Sequence, residues 1–116
     1  MSAEEKLKAC MIYGADFGSG LEEANSYIHI IILSETNPKI REVFGEKIPE
    51  IERELKESIS NLKDTLEKVM EEGCIDKEKG YRIKSLLLEM EDEVSKRDYK
   101  WASNKIVRIY EELGLA

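Results

Sequence analysis

The chain has 116 residues, enough for one domain around one core, and its 41% hydrophobic content favours a packed fold over disorder. A formal charge of −7 and a pI near 4.9 disfavour nucleic acid and anionic membranes as default partners. The most apolar run, Tyr27 to Leu33, is too short to span a bilayer, and the polar N-terminus has no signal-peptide pattern, so a cytoplasmic protein is expected.

Ser2 and Glu5 form a capping box, so a helix is expected from Ala3 to about Gly14, with Leu7, Cys10 and Met11 turned inward. Residues 15–20, Ala-Asp-Phe-Gly-Ser-Gly, read as a loop because Gly18 and Gly20 weaken any helix there. Ser19 and Glu22 make a second capping box, for a helix from about Gly20 to Leu33 with Leu21, Ala24, Ile28, Ile31 and Ile32 on one face. Tyr27, Ile30 and Leu33 spread its apolar surface almost round the axis, as in a central or interface helix. A strand at residues 27–33 is disfavoured because no second strand-like run exists to pair with it.

The longest pattern follows. Ile40, Phe44, Ile48, Ile51, Leu55, Ile59, Leu62, Leu66 and Val69 recur at steps of three or four, with charged residues between them. Asn37 caps the start, Pro38 sits in the first turn and Gly73 marks the stop. The spacing predicts one long helix over residues 38–72, kinked at Pro49, which removes a backbone donor and clashes with the carbonyl of residue 45. Asp76 then caps a helix from Lys77 to about Lys96, with Tyr81, Ile83, Leu86, Leu87, Met90 and Val94 inside. Asp98 caps a last helix from Tyr99 to Leu113, closed by Gly114, with Ala102, Ile106, Ile109, Tyr110 and Leu113 inside. The expected fold is an all-α bundle of about five helices in a single domain, with a C-terminal helical hairpin.

The long helix carries an argument about assembly. Thirty-five residues from Pro38 to Glu72 span about 52 Å at the standard rise, more than the roughly 35 Å globule such a chain can form. Its stripe from Leu55 to Val69 steps as a coiled-coil seam does. A second copy is the simplest cover, so a two-fold homodimer is expected. A sharp bend at Gly45–Pro49 is the competing arrangement and leaves a self-contained monomer.

The residues that carry chemistry are sparse. His29 is the only histidine, and no Glu-x-x-His occurs, so a di-metal carboxylate bundle is excluded. The carboxylates fall on hydrophilic helix faces, where a solvated role outweighs a catalytic pair. No loop spaces oxygen ligands for a cation, and Cys10 and Cys74 have no metal or redox spacing. Both cysteines read as small buried hydrophobes rather than as a pair. No cofactor, no metal and no catalytic residue is assigned.

Two candidate regions remain. Arg97, Lys100, Asn104 and Arg108 line one face of the last helix, flanked by Lys96 and Lys105, with Trp101 adjacent; they would bind a polyanion or an acidic partner. Residues 1–76 carry a net charge of −8 and residues 77–108 a net +3, which also suits mutual packing. Tyr13, Asp16, Tyr27 and His29 are the candidates for a ligand site. A charged fraction of 37% without a single glutamine suggests a thermophile. The function these observations favour is a small, non-enzymatic oligomerising or adaptor module that engages a protein partner. The alternatives are polyanion binding through the last helix and a ligand-binding or enzymatic bundle near His29.

Overall fold

The computed structural model describes residues 2–115. It is an all-α bundle, and no strand occurs among the described residues. Helix α1 spans Ala3–Thr36, α2 Pro38–Phe44, α3 Ile48–Glu71, α4 Lys77–Ser95 and α5 Tyr99–Glu112; a 3₁₀ turn at Gly45–Lys47 joins α2 to α3. Four long helices run up, down, up and down, and α2 closes one end.

Side-chain ladders give the directions. Ser58 donates to Glu23 at 2.8 Å, and Lys68 stands over the Tyr13 ring at 5.8 Å, so α3 runs antiparallel to α1. Lys63 pairs with Glu91 and Lys84 with Glu67 between α3 and α4. Glu93 pairs with Lys105 and Arg82 with Glu112 between α4 and α5. The molecule measures 54 × 22 × 22 Å, its length set by the 34 residues of α1 at 1.5 Å each.

Caps account for most of the ends. Ser2 accepts from the Glu5 amide, Asn37 from Lys39 and Ile40, and Asp76 from Lys79. Gly73 at φ 67° and Gly114 at φ 74° close α3 and α5 with paired bonds back to the last turn. Arg97, at φ 61°, does the same for α4, in a backbone region where glycine is usual. Asp98, expected as a cap, makes no side-chain cap bond to α5.

Four expectations need correction. Residues 15–20 are helical, so α1 is one continuous helix and the capping box at Ser19 falls in its interior. The glycines do not break it, because Phe17 and Leu21 are buried in the core on either side of them. Residues 38–72 are two helices joined by a 3₁₀ turn, not one kinked helix. The 3₁₀ turn puts Pro49 in the first turn of α3, where no backbone donor is needed and no preceding α-turn meets its ring. The chain turns between α1 and α2 at the extended Asn37, and Arg41 of α2 donates to the carbonyls of Ser34 at 3.0 Å and Glu35 at 2.7 Å.

The third correction concerns cover. Ile51, Leu55, Ile59, Leu62, Leu66 and Val69 are all buried within one chain, so the α3 stripe asks nothing of a second copy. Leu7 and Met11, expected inside, are instead 62% and 67% exposed, and Tyr81 of α4 is exposed as well. The fourth is covalent. Cys10 and Cys74 form a disulfide, with Cα atoms 5.5 Å apart across 64 residues of sequence. Neither cysteine is free.

Candidate functional site

Between α1 and α3 runs a polar groove of about 230 Å³, lined by Asp16, Ser19, Gly20, Glu23, Ser58, Asn61 and Thr65. Glu23 holds its centre, accepting from Ser58 at 2.8 Å and from the Tyr27 hydroxyl at 3.4 Å. Burial pushes the Tyr27 phenol up to about 12, helped by the Glu54 and Glu23 carboxylates, so it stays protonated as a donor at neutral pH. Of the four residues proposed for a ligand site, Asp16 and Tyr27 flank this groove. Tyr13 lies one turn below, against Lys68. His29 is exposed and stands about 200° round the helix from Tyr27, so it does not join them. No three His, Cys, Asp or Glu side chains converge as metal ligands among the described residues.

The cationic stripe is partly spent on the fold. Lys96 pairs with Asp92 at 2.9 Å, Arg97 with Glu52 at 3.5 Å and Lys105 with Glu93 at 2.7 Å. Lys100, Asn104, Arg108 and Trp101 remain exposed on α5. Arg108 shares a shallow groove with Arg82, Ser85, Glu89 and Glu112, where two carboxylates oppose two guanidiniums. Tyr99 opens α5 just after the α4–α5 turn, 3% exposed and without a hydrogen-bond partner for its hydroxyl; burial, and after it the Glu52 charge, raises its pKa to about 12.

Lys105 is the departure from the expected pattern. It is buried against Glu93, with side-chain exposures of 11% and 17%, and Trp101 covers it at 5.5 Å. The signal was in the spacing: residue 105 lies three after Ala102 and four before Ile109, on the inner face. Lys105→Ala is expected to destabilise by about 2–3 kcal/mol in urea melts, because it strands the Glu93 carboxylate. Lys105→Met with Glu93→Leu is expected to recover most of that loss; no recovery would mean that the pair itself, not the stranded charge, carries the energy.

The third feature was not visible in the sequence. At the disulfide end, a cleft of about 260 Å³ opens between α1, α3, the α3–α4 connection, α4 and the C-terminal tail. Phe17, Leu66, Val69, Ile75, Ile83 and Leu113 supply its apolar walls, and the Cys10–Cys74 bond lies along it. No charged side chain lines it among the described residues. It lies where α5 has ended at Glu112 and the tail residues Leu113 and Leu115 face the N-terminal part of α1. No helix among the described residues is long and apolar enough to cross a membrane. No family model, curated protein or solved structure matches the chain.

Proposed function

We propose that the protein is a non-enzymatic, self-associating adaptor module, pairing through the N-terminal turns of α1 and offering its charged helix faces to a protein partner. The observation that supports this is the row formed by Leu7 and Met11, one turn apart on α1 and both more than 60% exposed, with Ile12 beside them at 61%. An amphipathic row is written into the sequence there, and it stays exposed among the described residues, where α5 ends at Glu112. Exposed apolar residues grouped in this way mark interaction surfaces. A second copy of the row, related by a two-fold axis, is the simplest cover. The ion pairs of Lys96, Arg97 and Lys105 weigh against a polyanion reading of α5. A cytoplasmic home is compatible with the disulfide in a hyperthermophile, where intracellular disulfides persist.

Light scattering coupled to size exclusion tests the pairing. The expected mass is twice the 13.4 kDa of the chain, falling to 13.4 kDa in Met11→Lys. A monomer at every concentration would overturn the proposal.

A further inference from the structure

The four glycines inside helices fall into two kinds. A Cβ on Gly20 would lie 2.8 Å from Leu62 Cδ2, and one on Gly80 would lie 2.9 Å from Met70 Cγ, so close packing requires both. Gly14 and Gly18 have no such reason. A Cβ at either position would meet nothing within 4 Å, and neither glycine has a positive φ. Each weakens α1 relative to alanine, yet they stand one turn apart and both line the apolar cleft. What they provide is its open floor.

The cleft is small and apolar in its lining. Its volume of about 260 Å³ lies at the lower edge of ordinary ligand sites, suited to a slender group rather than to a ring system. Its walls come from five segments of chain, so it is concave where a docking helix would need a long open groove. One cation stands near its edge. The Lys6 side chain lies over Gly73, its Nζ 3.3 Å from where a Cβ would be, next to Cys74 in the lining and one turn below Cys10. Lys6 makes no ion pair among the described residues.

We propose that this cleft binds a medium-chain fatty acid, with its alkyl tail along Gly14 and Gly18 and its carboxylate beside Lys6. The tail replaces water on the apolar walls, and the carboxylate charge is opposite to that of Lys6. The site is separate from the proposed pairing surface, since Leu7, Met11 and Ile12 do not line it.

Titration of the oxidised, isotope-labelled chain with decanoate, and in parallel with 1-decanol, tests this by two-dimensional amide spectra. Saturable shifts are expected at Gly14, Gly18, Ile75 and Leu113, with decanoate bound more tightly than decanol. Gly18→Leu and Gly14→Leu, placed in open space, should keep the native circular dichroism and weaken both ligands at least tenfold. Lys6→Met should bring decanoate down to the affinity of decanol and leave decanol unchanged. Binding should persist in Met11→Lys, which separates it from self-association. The proposal is overturned by an absence of saturable shifts, by natural affinity in both leucine variants, by decanoate binding that ignores Lys6→Met, or by binding lost with Met11→Lys.

Discussion

Reduction of the Cys10–Cys74 bond is expected to remove about 4 kcal/mol of stability. The bond closes a loop across 64 residues, and the chain-entropy relation assigns about 4 kcal/mol to a loop of that size. The native state adds little to offset the loss. Ala3 to Lys8 are exposed, and α1 runs past the end of α5 here, so the disulfide is the main tie between this end of α1 and the α3–α4 connection. Paired denaturant melts with and without reductant measure the difference. Cys10→Ala with Cys74→Ala should match the reduced protein and be indifferent to reductant. A loss below about 1 kcal/mol would show that packing around Phe17 and Val69 already holds the end in place.

Much of the bundle was legible because burial and periodicity agree. On α3 the residues from Ile51 to Val69 recur at helical spacing, and each is buried in the expected row. Asn37, Asp76, Gly73 and Gly114 mark their helix ends by local chemistry, which a sequence displays directly. The misreadings are all tertiary. Gly18 and Gly20 look like breakers, but Gly20 is the notch into which Leu62 packs. Ile40 to Val69 hold one phase through Pro49, yet a 3₁₀ turn at Gly45–Lys47 divides them into two helices, the first of them tied to the end of α1 by Arg41.

The candidate sites were less legible for the same reason. Neither cysteine carries a spacing signal, since their partnership is a matter of distance in space. The apolar cleft is walled by five segments of chain, a convergence that no single stretch reveals. Tyr27 and His29 looked adjacent in sequence and point to different sides of α1. Lys105 was readable as an inner-face residue, but its charge drew it into the surface stripe.

Leu62→Ala is expected to cost about 3–5 kcal/mol, and Gly20 makes that test specific to the α1–α3 contact. Leu62 is 1% exposed at the centre of the core, where a large-to-small change loses transfer energy and leaves a cavity. Lys63→Ala beside it should change stability by less than about 1 kcal/mol, since its bond to Glu91 is solvent-exposed. Gly20→Ala in the natural chain meets two opposed effects. It gains about 1 kcal/mol of helix propensity, but its methyl would lie 2.8 Å from Leu62 Cδ2 and 3.3 Å from Cγ, an overpacking cost of about 1–3 kcal/mol. The net effect should be neutral to destabilising. In the Leu62→Ala background the obstructing carbons are gone, so the same substitution should stabilise by about 1 kcal/mol and fill part of the cavity. A double-mutant cycle should therefore give a coupling of about 1–3 kcal/mol, within the range for residues in contact. Additive effects would mean that the helices do not approach this closely at Gly20, and that α1 owes this glycine to something other than the packing of Leu62.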